Sequence, residues 1–235
     1  MRYNIMQEPT YHGYPISTDA TKGYYCIKEI MDSFDEVMKY MLKYNKLYIA
    51  HIILRFPQDL YYPDDNSLLK NFLFYFSLIY KRNHIRMKYL WVYEKTNIDM
   101  HQHYHILLFY DGNKVQHTNK LRQLAERIWT HTLGVPGYGG LVHCDPSKHG
   151  IKVRDDRDDY YAAINNAYMV ASYLSKLYSK QFIPPGVRLY GSSNCKDDVS
   201  ALTPSSDYYD DNTPSELIDL DDSVSPSVNL NLSII

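Results

Sequence analysis

Three histidines fall on alternate positions in DMHQHYHILLFYDG, residues 99–112: His101, His103 and His105. A β-strand sends alternate side chains to one face, so in a strand these imidazoles project together. Two imidazole nitrogens from such neighbours can chelate one ion. The plainer alternative is that they are polar positions at a strand end, but a pair flanking one hydrophobe, with a third histidine two residues earlier, favours the ion. A third ligand must come from a neighbouring element, and Glu94 in YLWVYEK is the best placed. If the two segments close as a hairpin centred on residues 98 and 99, Glu94 stands opposite His103 on the same face. One residue of slip would turn it away. Asp99 is the substitute, and His101 is either a ligand or a group behind the ligands. Two imidazoles and a carboxylate with open positions suit Mg²⁺, Mn²⁺ or another divalent ion acting as a Lewis acid.

A second stretch with chemistry is YMVASYLSKLYSK, residues 168–180. On a helix Tyr173 and Lys176 are neighbours, and Met169 and Lys180 extend their stripe. A phenol with a pKa near ~10 is a weak nucleophile at neutral pH unless a cation or base assists it. Lys176, with a metal polarising the electrophile, supplies that assistance. Tyr168 and Tyr178, five residues to either side, fall off this face. The alternative is an amphipathic helix whose tyrosine packs on a sheet and whose lysines are solvated.

The elements that must position these groups are legible from periodicity. Residues 32–44 read as a helix, with Phe34, Val37, Met38 and Met41 on one side. A β-run follows at residues 47–54. Asp65 or Asn66 can cap a helix with an apolar stripe of Leu69, Phe72, Leu73, Phe76 and Ile79. Strands at 89–95 and 103–110 form the hairpin. Thr118 or Asn119 opens a helix with Leu121, Leu124, Ala125 and Ile128 inward, stopped by Gly134 and Pro136, and a short strand lies at 141–144. From residue 47 the order is β-α-β-β-α-β, an α+β fold of the ferredoxin-like or RRM-like split βαβ type with an antiparallel sheet. The histidine strand is expected at its centre, and the second and fourth strands at its edges. One face is expected against the helices and the histidine face open. A tyrosine-bearing helix at about 160–180 can cross that open face.

Composition sets the outer bounds. Hydrophobic residues make up 45% of the 235 and aromatics 14%, enough for a real core. No apolar run reaches the roughly 20 residues of a membrane span, and the N-terminus lacks the apolar centre of a secretory signal. Cys26, Cys144 and Cys195 are odd in number, widely spaced and not in CxxC pairs, so neither a disulfide framework nor a cysteine zinc site is implied. The net charge of −2 conceals an asymmetry: residues 196–235 carry nine acidic residues against one lysine, and residues 1–195 carry 24 Lys and Arg against 18 Asp and Glu. The basic body permits a polyanionic partner. The division expected is an N-terminal extension with a helix (1–46), a catalytic domain (47–195) and an acidic, disordered tail (196–235).

The stretch LWVYEK…HQHYHILLFYDG, then IWTHTLG, SYLSKLYSK and VRLYGSS, resembles the HUH endonucleases, named for two histidines around a hydrophobe, here His103-Tyr104-His105. It is most similar to the replication initiators of filamentous phages and related prophage proteins. The resemblance implies a cytoplasmic enzyme of a bacterial host that nicks single-stranded or hairpin DNA at a replication origin, working with host helicase and polymerase. It implies that His103, His105 and Glu94 hold Mg²⁺ or Mn²⁺ against the scissile phosphate. Tyr173 would attack to leave a 5′-phosphotyrosyl bond, and Lys176 would stabilise charge. Arg188 and Lys180 would contact DNA, and Tyr104 and Tyr110 could stack bases. Two rival expectations are a histidine-triad nucleotide hydrolase or transferase, which His101-x-His103-x-His105 is similar to, and a non-catalytic RRM-like nucleic-acid-binding sheet. Gln102 stands where the histidine-triad motif is hydrophobic, and no RNP-type aromatic motif is visible.

Overall fold

The computed structural model describes residues 3–95, 97, 101–144, 150–180 and 182–195; Asp99 and the acidic tail lie outside them. Four short strands open the chain: β1 (Ile5–Met6), β2 (Thr10–Tyr11), β3 (Tyr14–Pro15) and β4 (Cys26–Ile27). Then come α1 (Lys28–Met41), β5 (Lys46–Leu54), α2 (Ser67–Arg82), β6 (Met87–Glu94), β7 (His103–Asp111), α3 (Thr118–Thr132), β8 (Val142–His143), β9 (Ile151–Arg154), α4 (Tyr160–Leu174) and β10 (Tyr190–Ser192).

The order from β5 to β8 is β-α-β-β-α-β, and the main sheet is antiparallel in the order β10-β6-β7-β5, with β8 and β9 both pairing β5 on its outer edge. The histidine strand β7 is therefore central, as its uninterrupted apolar pattern demands. The second strand is not an edge as expected, because β10 pairs with it through Tyr190↔Val92 and Ser192↔Leu90.

Nor is the histidine face open. One face of β7 carries Tyr104, Ile106, Leu108 and Tyr110 against α2 and α3, where Tyr80 meets Tyr110 at 4.9 Å between ring centroids. On the other face Phe109 meets Phe34 of α1 at 5.9 Å, and Phe34 meets Tyr168 of α4 edge-on at 5.0 Å. Helices on both faces bury the sheet, and Tyr104 and Tyr110 have no exposed surface on which to stack bases.

Helix α1 starts four residues earlier than its periodicity suggested, because Ile30 and Met31 continue the buried stripe of Phe34, Val37, Met38 and Met41. The amide and hydroxyl of Ser67 both donate to Asp65 Oδ1, a local turn just before α2, whose N-cap Asn66 makes no side-chain capping bond. Gly134 at φ +72° ends α3. The expected helix of residues 160–180 is two pieces, α4 and a 3₁₀ turn at Leu177–Lys180. The break lies where Ser172 and Ser175 hydroxyls donate to the helix's own carbonyls. There the chain also turns to pair with the N-terminal segment: Ile27 N–H donates to Ser175 O, Leu177 N–H donates to Tyr25 O, and Cys26 bridges Lys176. The N-terminal residues are thus one body with the rest, their Met6, Tyr11, Ile16 and Cys26 lying in the same core.

Candidate metal centre

The site forms at the hairpin end of β6 and β7. Register places Glu94 opposite His103, so Glu94, His103 and His105 share one face. Their ligand atoms lie within 4.8 Å of one another. Glu94 Oε2 sits 3.1 Å from His105 Nε2 and 3.3 Å from His103 Nε2. Ligands each about 2.1 Å from one ion and roughly at right angles stand about 3 Å apart, so the spacing fits a shared divalent ion. Glu94 and His105 are buried and His103 is partly exposed, which leaves one side of the cluster open to solvent. These three residues could hold a metal.

The second carboxylate oxygen is fixed from behind. Glu94 Oε1 accepts from Ser179 Oγ at 2.8 Å and from Lys180 Nζ at 2.6 Å. One oxygen is thereby occupied by the chain that follows α4, and the other faces the imidazoles. Burial pushes the Glu94 carboxyl up, but the hydrogen bonds from the two imidazoles and the Lys180 charge outweigh it and hold the group well below the usual carboxylate range. Burial pushes His105 down, toward the neutral form that ligates metals, and lowers Lys180 despite its carboxylate partner.

Two contributors were not expected. His51 of β5 lies opposite Leu107, on the face of His105. Its Nε2 is 2.9 Å from His105 Nδ1 with the rings stacked at 5.1 Å. A partner on Nδ1 leaves Nε2 facing the site and orients the ring. The only cue in the sequence was a histidine inside the apolar run KLYIAHIIL, and its meaning depends on the β5–β7 register. Lys180 was expected on DNA; instead its side chain is 2% exposed and committed to Glu94. The 3₁₀ turn swings it inward, off the stripe a continuous helix would have given it. His101 packs instead near Phe56 and Tyr62, 6.1 Å from each ring.

Tyr173 lies in the last turn of α4 with 51% of its surface exposed. The Lys176 ammonium sits 3.9 Å from its ring centroid and 4.8 Å from that of Tyr24, with Tyr24 also 5.9 Å from Tyr178. Lys176 is thus a neighbour of Tyr173 although it lies beyond the helix, and burial pushes its pKa down. Tyr178, 49% exposed, has its pKa raised by burial, with the neighbouring Tyr173 phenol and the Glu94 carboxylate adding to the shift. Tyr168 is excluded from surface chemistry: it is buried, and its hydroxyl donates to Asp35 Oδ1 at 2.6 Å. Arg188 has an exposed side chain, while its carbonyl accepts from Asn66 Nδ2 at 2.8 Å.

No helix among the described residues is long and apolar enough to cross a membrane. Residues 6–193 match the family model described as the YagK/YfjJ C-terminal domain. No curated protein and no solved structure matches the chain.

Proposed function

The chain belongs to the YagK/YfjJ C-terminal domain family, and on that premise we propose that it is a metal-dependent endonuclease and strand transferase of the HUH type. In this reading it nicks single-stranded DNA to start rolling-circle replication, in a phage or prophage setting inside a bacterial cell. The observation that carries the reading is the Glu94–His103–His105 cluster, with Glu94 Oε2 turned to both imidazoles and its other oxygen pinned by Lys180. A divalent ion there, Mg²⁺ or Mn²⁺, would supply positive charge to the non-bridging oxygens of the scissile phosphate.

The chain's own groups do the rest. His51 orients His105, and Ser179 and Lys180 orient Glu94. The Tyr173 oxygen attacks phosphorus, the bond from phosphorus to the 3′-oxygen breaks, and that oxygen takes up a proton to become a free 3′-hydroxyl. The phenol's proton passes to solvent, and the Lys176 ammonium is a fixed cation beside the charge that grows on the phosphoryl oxygens. The 5′-phosphotyrosyl bond keeps the phosphoester for later rejoining. Tyr178 is the second reading for the nucleophile, since it is exposed on the same 3₁₀ turn that carries Ser179 and Lys180 to Glu94.

The test is to incubate the protein with a pool of single-stranded oligonucleotides and Mn²⁺ and look for an adduct that survives denaturing electrophoresis. Loss in Tyr173→Phe with retention in Tyr178→Phe and Tyr168→Phe supports the first assignment; the converse moves the role to Tyr178. No adduct, but nucleoside phosphoramidate hydrolysis that His103→Ala abolishes, would favour the histidine-triad chemistry instead.

A further inference from the structure

On the far side of the sheet from the metal cluster, a groove of about 810 Å³ runs between α2 and the edge formed by β6 and β10. Lys70, Lys81 and Arg188 line it, and the acidic residue among the described lining residues is Asp65. Asp65 is already engaged: its Oδ1 accepts both the amide and the hydroxyl of Ser67. The groove is therefore net basic in a chain that is acidic overall.

Its aromatic content has the same orientation. Lys70, Phe74, Ser77 and Lys81 follow one another at spacings of three or four on α2, so they form a single stripe along the groove. At 1.5 Å per residue the two lysines stand about 16 Å apart along the axis. Between them Phe74 exposes 58% of its surface, an unusual place for a phenylalanine on a helix whose Leu69, Phe72 and Phe76 are fully buried. On the opposite wall Gly191 leaves room for the indole of Trp91, since a Cβ there would stand 2.8 Å from its Nε1. Cations spaced along a channel with a solvent-facing aromatic ring fit a sugar–phosphate backbone with a base to stack.

We infer that this groove binds single-stranded polynucleotide, the phosphates meeting Lys70, Lys81 and Arg188 and a base stacking on Phe74. The groove is tied to the site across the sheet. Tyr104, between the two histidines on β7, donates its hydroxyl to Asp65 O at 2.7 Å and reaches Asn66 Oδ1 at 3.1 Å, while Asn66 holds the Arg188 carbonyl. A strand held there is anchored away from the scissile phosphate, so the grip on DNA does not depend on the ion. The inference rests on a nucleic-acid substrate but not on the nicking chemistry.

The experiment measures fluorescence anisotropy of a labelled oligothymidylate with EDTA present, across a salt series, for folded variants checked by circular dichroism. Single-strand contacts each contribute about −0.7 to the slope of log K against log salt. The triple variant Lys70→Ala, Lys81→Ala, Arg188→Ala should lose about 2 from that slope and bind about 50-fold more weakly near 0.15 M salt. A control removing equal charge elsewhere, Lys120→Ala, Arg127→Ala, Lys152→Ala, should leave the slope unchanged. Phe74→Ala, a surface change, should weaken binding roughly 5-fold or more with no change in slope. Equal losses in the triple variant and its control overturn the groove while leaving the nicking reading intact. A duplex or polyglutamate bound as tightly through the same residues overturns the single-strand assignment. No binding by the native protein overturns the groove. Adduct formation, scored separately with Mn²⁺, tests the nicking reading: an adduct without groove-dependent binding overturns the groove alone, and binding without an adduct overturns the nicking alone.

Discussion

The Glu94–Lys180 pair gives the most demanding test of the site as built. Lys180 is 2% and Glu94 10% exposed at the side chain, with 2.6 Å between charged atoms. Glu94→Gln keeps the shape and an oxygen for Ser179 and Lys180 but removes the charge, stranding a buried ammonium. Breaking a buried pair from one side costs about 3–5 kcal/mol, and retained hydrogen bonds place this variant near the lower figure. For a domain of this size each kcal/mol moves Tm by about 2–4 °C, so a fall of about 6–12 °C is expected at neutral pH with EDTA.

The loss should depend on pH in a defined direction. Without Glu94 the Lys180 pKa falls further below its unfolded value of about 10.4. Between those two pKa values the unfolded chain binds a proton the folded chain has lost, so stability rises with pH. The deficit of Glu94→Gln should therefore shrink from pH 6 toward pH 9. Glu94→Gln combined with Lys180→Met should recover most of the loss, since neither charge is then buried. Thermal melts by circular dichroism read all three. A single-variant loss under about 2 °C, a deficit that grows with pH, or a double variant worse than Glu94→Gln would refute the reasoning.

Mn²⁺ at about 100 times its Kd should add about 2.7 kcal/mol, or a rise in Tm of about 5–11 °C; His103→Ala and His105→Ala should abolish this rise and His101→Ala should keep it. His51→Ala should weaken Mn²⁺ binding about 10–100-fold, read by titration calorimetry, because it frees His105 Nδ1 without removing a ligand. Acidification should weaken the metal-free protein below about pH 4.5, where the unfolded Glu94 takes up a proton that the folded carboxylate resists; that part of the acid sensitivity should be missing in Glu94→Gln. Gly191→Ala should destabilise by about 1–3 kcal/mol in denaturant titration, since its methyl would displace the Trp91 indole.

Much of the site was legible because it lies within one hairpin. Alternation alone put His103 and His105 on one face, and an assumed closure about residues 98 and 99 set Glu94 opposite His103, the register the strands adopt. What the sequence hid depends on distant pairings. His51 joins His105 only through the β5–β7 register, which no local pattern encodes. Lys180 turned from a DNA contact into the carboxylate's partner because α4 stops at Leu174. The reason for the stop, pairing of Ser175–Leu177 with Tyr25–Ile27, links residues some 150 apart in the chain. For the same reason Tyr24 was invisible as a neighbour of Lys176. A helix near 160–180 crossing the histidine face was legible, but the packing of α1 there, Phe34 against Phe109, was not.

The central claim is a phosphotyrosyl bond on this chain, and trypsin offers a direct view of it. Cleavage after Arg157, Lys176 and Lys180 separates Tyr173, in the peptide 158–176, from Tyr178, in the peptide 177–180. After reaction with single-stranded DNA and Mn²⁺, nuclease digestion and mass spectrometry, nucleotide mass should appear on the peptide 158–176 and fragment to Tyr173. It should be missing with EDTA and in His105→Ala. Nucleotide mass on no tyrosine, or the same yield without metal, would contradict the account.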